Sequence, residues 1–330
     1  MYPLDWTGNH FLDPALVRDL IDRLAKTDWD PTRRTGRNAP DLLEAISQFY
    51  EVDPSWIGLV PGSAAGIDAF IRSRPGAPIV DVVPNFHQAH TTARRDLRSY
   101  TAVPLALGAD VTAAVRPHRG SGAILTMASP SNPFGSQIPM ETIAELARDW
   151  DGFVLLDEAY ADFAPATAMR LLADHPNLFI SRTFSKAWGL ADLRLGFIVG
   201  RSLETTGSQD YLACLGPDRV ATWVARELLR HPLPILRSIE ATLEMRENMT
   251  RRLRELAFLT VIDSDTNYVT VRCSGASAVV GDLRLRGLQV KQLSTLRGWP
   301  ADWPDGIRAS VCPSPLLDQL IAGLAAFDGQ

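Results

Sequence analysis

Apolar and polar positions follow two rhythms along the chain, and they change places near residue 225. Before it, short apolar runs at 57–60, 78–83, 122–127, 153–157, 178–182 and 195–199 carry few charges and are bounded by Gly, Pro, Asn or Ser. Runs of that length predict strands buried on both faces. Between several of them, 67–72, 87–97 and 140–150 place apolar residues at helical spacing. Strand and helix in alternation predict an α/β fold, a mostly parallel sheet covered by helices on both sides.

After residue 225 the order is looser. A long amphipathic helix at 234–256 leads into strands at 258–262 and 268–272, a helix at 276–286, strands at 288–291 and 307–311, and a closing helix at 315–327. This reads as a smaller α+β domain. Two further helices, at 14–26 and 40–50, are expected to pack with that smaller domain. The division predicted is thus 1–50 as an accessory segment, 51–225 as the large domain and 226–330 as the small one.

Composition narrows the function. The 330 residues carry a net charge of −5 without a basic run, which disfavours a nucleic-acid partner. No apolar stretch is long enough for a membrane span. Cys214, Cys273 and Cys312 lie far apart without metal-like spacing, and the first residues lack the pattern of a secretory leader, so a cytoplasmic protein is expected.

Lysine is the outlier. Only Lys26, Lys186 and Lys291 occur, against 30 arginines. Lys186 lies in Ser181-Arg182-Thr183-Phe184-Ser185-Lys186, with Arg194 eight residues on, so an amine, hydroxyls and a guanidinium fall together. Such a set suits covalent capture of a phosphorylated aldehyde. Four other segments follow strand ends. Gly62-Ser63-Ala64 opens a helix, where backbone N–H groups can meet a phosphate, although a tight turn is the plainer reading. Asp157, with Tyr160 three residues later, offers a carboxylate to a ring nitrogen, or simply a helix cap. Asn132 in Ser131-Asn132-Pro133 offers an amide, or simply a turn. Phe86 offers an aromatic face, or simply core.

Taken in order, Gly62-Ser63-Ala64, Phe86, Asn132-Pro133, Asp157-x-x-Tyr160, Ser185-Lys186 and Arg194 resemble the fold-type I aminotransferases, and most closely the branch of histidinol-phosphate aminotransferases and threonine-phosphate decarboxylases. The resemblance implies a seven-stranded type of large domain, pyridoxal 5'-phosphate as cofactor and a homodimer whose site is completed at the subunit interface. It implies that Lys186 bonds the cofactor and moves a proton at the substrate Cα. Asp157 then holds the ring nitrogen, and Asn132 and Tyr160 bind the phenolic oxygen. Ser63, Ala64, Thr183, Ser185 and Arg194 take the phosphate. Arg308 resembles the family's carboxylate-binding arginine, with Asn267 and Asn9 as its neighbours at the substrate.

Two positions depart from the pattern. Gly8 in Thr7-Gly8-Asn9-His10 stands where an acidic residue is usual, and Arg37 where a tyrosine commonly reaches the partner's cofactor. Arg37 is expected to bind phosphate across the dimer or an anionic group of the substrate. Transamination of a small amino acid or amine in specialised metabolism is the activity implied. Decarboxylation, elimination or replacement, and oxidation on the same scaffold are the alternatives, with a non-catalytic binding protein more remote.

Overall fold

In the computed structural model, residues 1–32, 39–203 and 216–328 are described. The strands of the large sheet are apolar on both faces, and the alternation along each one sorts its side chains between two cores. Val154 and Leu156 face one core and Leu155 the other; Leu178 and Ile180 divide from Phe179, and Phe197 and Val199 from Ile198. These residues belong to β6 (Phe153–Asp157), β7 (Leu178–Thr183) and β8 (Gly196–Val199). With β2 (Ile57–Val60), β3 (Ile79–Val83), β4 (Tyr100–Pro104) and β5 (Ile124–Ala128) they form a seven-stranded sheet in the order β2-β8-β7-β6-β5-β3-β4. All pairings are parallel except those of β8, which runs against β7 and β2. Helices α3 (Ser63–Arg72), α4 (Gln88–Arg95), α5 (Val111–Val115) and α6 (Met140–Asp149) fill the connections. The mostly parallel α/β sheet expected from the sequence is therefore present.

A second sheet, in the order β12-β13-β10-β9, is antiparallel throughout and has its own core. It comprises β9 (Thr260–Ile262), β10 (Tyr268–Arg272), β12 (Lys291–Gln292) and β13 (Gly306–Ser310). The helices α8 (Leu233–Arg254), α9 (Ala276–Leu285) and α10 (Ser314–Asp328) accompany it. The single strand expected at 288–291 is split. Its first half, β11 (Leu288–Gln289), pairs with β1 (Tyr2–Pro3), and its second half is β12.

The placement expected for the two early helices needs correction. Leu20 of α1 (Pro14–Ala25) and Leu42, Ala45 and Ile46 of α2 (Pro40–Tyr50) enter the larger core. There they join Val224, Ala225 and Leu228 of α7 (Arg219–Arg230). Only the first residues go with the smaller sheet, where Leu4 is fully buried. The reason is electrostatic as well as apolar. Glu227 of α7 takes Arg23 from α1, and Arg226 takes Asp41 from α2, so the three helices satisfy one another's charges. Among the described residues, no helix is long and apolar enough to cross a membrane.

Candidate active site

Several of the side chains singled out in the sequence gather where the parallel strands end. Ala128, Asp157 and Ser181 stand side by side across β5, β6 and β7, and Thr183 pairs with Gly196 of β8. Beyond this row the chain turns into loops, as expected for a ligand site at the carboxyl edge of such a sheet.

Asp157 closes β6 and is buried. Its Oδ1 accepts a hydrogen bond from the Ala159 N–H at 3.1 Å, and among the described residues no cation lies within salt-bridge reach. Burial pushes its carboxyl up to about 6, against the downward pull of the Ala159 N–H and of Lys186. A carboxylate in this position lacks a positive partner. Next along the chain, Glu158 does have one. It pairs with Arg182 at 3.0 Å, and Arg182 also holds Asp162, which accepts from Tyr50 and the Trp188 indole. Asp157, Tyr160, Thr183 and Lys186 thus border the site, while Glu158, Asp162, Arg182 and Trp188 interlock beneath it.

Lys186 follows β7 and is half-buried. Its Nζ donates to Thr7 Oγ1 at 2.6 Å and sits 5.5 Å from the Tyr160 ring centre. The Tyr160 hydroxyl is 2.8 Å from the same Thr7 oxygen, and the ring meets Tyr268 edge-on at 5.1 Å. Thr7 was not among the residues singled out in the sequence. Nothing local marks it, because its partners lie more than 150 residues away.

The start of α3 provides an anion cradle. No side chain caps its first turn, so the N–H groups of Ser63 and Ala64 face outward from a helix N-terminus. Gly62 before it has φ of +86°, and a Cβ added there would lie 2.6 Å from Nη2 of Arg194. The Arg194 guanidinium therefore rests directly on Gly62. Its Nη1 donates to Ala191 O at 2.9 Å and, at 3.5 Å, to the Ser185 hydroxyl. Thr183 Oγ1 accepts from the Ser185 N–H at 3.1 Å, which orients that loop. A free amine, an unpaired buried carboxylate, an uncapped helix start and an arginine resting on a bare Cα are together the donor set that a phosphorylated pyridine aldehyde needs. The residues fit that group.

Arg308 of β13 donates from Nη1 to Asn132 Oδ1 at 2.6 Å and from Nη2 to the Asp5 carbonyl at 2.7 Å, while its buried Nε has no hydrogen-bond partner. The amide nitrogen of Asn132 is left facing away from that contact. Phe86 is half-buried just after β3, its N–H held by the Asn85 side chain, and its neighbour His87 is the exposed residue preceding α4.

Two of the residues expected at the substrate, Asn9 and Asn267, make hydrogen bonds within the protein. Asn9 donates from Nδ2 to Ala187 O at 2.7 Å and to the Ser238 hydroxyl at 2.8 Å, and its Oδ1 accepts from the Phe11 N–H. Asn267 donates from Nδ2 to the carbonyls of Thr7 and Gly8. Both asparagines brace the segment 5–9 through their amide nitrogens, while the buried Asn267 Oδ1 has no hydrogen-bond partner among the described residues. Arg37 and Cys214 lie outside the described residues.

The chain belongs to the class I and II aminotransferases, whose family model matches residues 5–323. The histidinol-phosphate aminotransferase of Thermococcus gammatolerans is 31% identical to it over 254 residues, which make up 76% of this chain and 72% of that protein. Among solved structures, the histidinol-phosphate aminotransferase of Sinorhizobium meliloti in complex with pyridoxal-5'-phosphate superposes with a TM-score of 0.86 at 23% identity, over 99% of this chain and 91% of that one. The L-threonine-O-3-phosphate decarboxylase of Porphyromonas gingivalis superposes with a TM-score of 0.82 at 19% identity over the whole of both chains. At these identities the structural likenesses speak for the fold alone, which is the fold-type I architecture the motifs resembled.

Proposed function

We propose that this protein is a pyridoxal-phosphate-dependent aminotransferase acting on a small amino acid or amine. In this reading it is a cytoplasmic homodimer of specialised metabolism rather than of histidine biosynthesis. One observation carries the reading: Lys186, the unpaired Asp157 and the uncapped start of α3 lie along one edge of the large sheet, with Arg194 linking Gly62 to Ser185 beside the lysine. The departures at Gly8 and Arg37 favour a substrate other than that of the histidine pathway.

Bound there, pyridoxal phosphate supplies an aldehyde that bonds to primary amines and a ring that draws electrons from the substrate Cα. Asp157 would keep the ring nitrogen positively charged, and that charge would relieve its own unpaired burial. The N–H groups of Ser63 and Ala64, the hydroxyls of Thr183 and Ser185, and Arg194 would hold the phosphate. Tyr160 and the Asn132 amide would bind the phenolic oxygen, and Phe86 would offer the ring an aromatic neighbour. Lys186 would hold the group through its amine, and the same Nζ would serve as the base that moves the proton at the substrate Cα. Arg308, already aligned by Asn132 and Asp5, takes the substrate carboxylate.

The test has two stages. Borohydride reduction of the protein with pyridoxal phosphate should fix the cofactor to the peptide containing Lys186; labelling of Lys26 or Lys291 instead overturns the site. A panel of amino acids is then mixed with the protein. Conversion of the cofactor to its pyridoxamine form supports transamination, whereas released CO2, released ammonia or consumed oxygen overturns it in favour of another reaction on the same scaffold.

A further inference from the structure

We propose that Thr7 is a positioning residue for the catalytic amine. Its hydroxyl holds Lys186 Nζ in place when the lysine is free and ties it to Tyr160. The inference rests on the role assigned to Lys186 above, and adds a residue that neither the motifs nor the family match assigns.

The geometry is specific. Thr7 is 3% exposed, and its Oγ1 lies 2.6 Å from Lys186 Nζ and 2.8 Å from the Tyr160 hydroxyl. One oxygen thus joins two groups that sit on different strand ends. The oxygen itself is fixed, because the backbone around it is pinned at every residue. Arg308 holds the Asp5 carbonyl at 2.7 Å, and the Ser310 hydroxyl holds that of Trp6 at 2.6 Å. Asn267 holds those of Thr7 and Gly8 at 3.0 and 2.8 Å. Asn9 closes the strap onto Ala187 O, one residue beyond the lysine.

A hydroxyl suits this place better than a carboxylate. A lysine side chain is long and loses considerable rotamer freedom when held. An acidic partner would restrain it but would also keep the amine protonated, and so idle as a base. A threonine hydroxyl accepts from the ammonium form and donates to the neutral form, so it restrains the nitrogen in either state. With Tyr160 donating to Oγ1, the threonine hydrogen is free to point at a neutral Nζ. The strap therefore aims the amine without fixing its charge.

The test compares Thr7→Val, which keeps the shape and removes the hydroxyl, with Thr7→Ser, which keeps the hydroxyl. In full-length protein stripped of pyridoxal phosphate, the rate of Lys186 labelling by trinitrobenzenesulfonate at one fixed pH is followed by peptide mapping. That rate should rise by about threefold or more in Thr7→Val, since the amine is no longer held, and stay within about twofold of wild type in Thr7→Ser. With cofactor restored, Thr7→Val should lose about tenfold or more in kcat with KM for the amino donor within about twofold, and Thr7→Ser should recover to within about threefold of wild type. A wild-type labelling rate and kcat in Thr7→Val overturn the inference, as does a Thr7→Ser variant as impaired as Thr7→Val. If the wild-type protein fails to trap pyridoxal phosphate on Lys186, the proposed function itself falls. Trapping at Lys186 with a wild-type labelling rate in Thr7→Val removes only the role of Thr7.

Discussion

Arg182 and Glu158 face each other 3.0 Å apart beneath the site, each one residue from a group that borders it. Arg182 precedes Thr183 on β7, and Glu158 follows Asp157 at the end of β6. Strand alternation makes this inevitable, since neighbours point to opposite faces. Asp162 and Trp188 extend the lock from the residues after Tyr160 and Lys186. The two strand ends that border the candidate site are thus fastened to each other by ion pairs one layer below.

The lock makes a prediction about stability. Replacing Arg182 with Met strands the buried Glu158 and the part-buried Asp162, and the loss in urea unfolding should be about 3–5 kcal/mol. Glu158→Gln leaves Arg182 its bond to Asp162 and should cost less, about 1–3 kcal/mol. A loss below about 1 kcal/mol in Arg182→Met would show that the network contributes nothing to the fold.

Asp157 predicts a pH dependence of opposite sign to that of an ordinary paired carboxylate. Its carboxyl rises from 3.8 to about 6 in the folded chain, so folding favours the acid form. The contribution is complete below about pH 4 and is lost as pH climbs through about 6, a change of about 3 kcal/mol. Without cofactor, Asp157→Asn should therefore match the wild type in urea unfolding near pH 4 and exceed it by about that amount above pH 7. A gap that stays flat with pH would mean the carboxylate is already compensated.

Gly62 tests the cradle. An alanine there must adopt a φ that side chains rarely take, and its methyl group displaces the Arg194 guanidinium. Titration with pyridoxal phosphate should show affinity weaker by about tenfold or more in Gly62→Ala, since an arginine–phosphate pair is disturbed together with the helix start. Unchanged affinity would move the phosphate elsewhere.

Arg308 tests the substrate end. Arg308→Lys keeps the charge and removes the fork that meets a carboxylate with two parallel hydrogen bonds. The expected result is a fall of about a hundredfold in kcat/KM for an amino acid, with little change for an amine of the same skeleton lacking the carboxylate. Equal losses for both would make Arg308 a structural brace for Asn132 and Asp5.

Much of this was legible in the chain. Strands buried on both faces announce themselves as apolar runs, and six of the seven in the large sheet did so. The exception, β4, lies at the sheet edge with most of its residues part-exposed, so no apolar run marks it. Lys186 stood out because lysine is so rare here, and Asp157 because it ends an uncharged strand. What stayed hidden depends on partners distant in sequence. No element was expected at 219–230, yet α7 there buries Arg226 and Glu227 against each other and pairs them with α2 and α1. The strap contacts of Asn9 and Asn267 could not be seen in the chain, and Thr7 was passed over for the same reason.

The strap also fixes the order in which this enzyme comes into being. Asp5 and Trp6 find Arg308 and Ser310 across 303 and 304 residues of chain, so they leave the ribosome long before their partners exist. However early the large sheet forms during synthesis, the wall behind the lysine cannot close until β13 has been made. A nascent chain is thereby kept from completing its site until that strand has emerged.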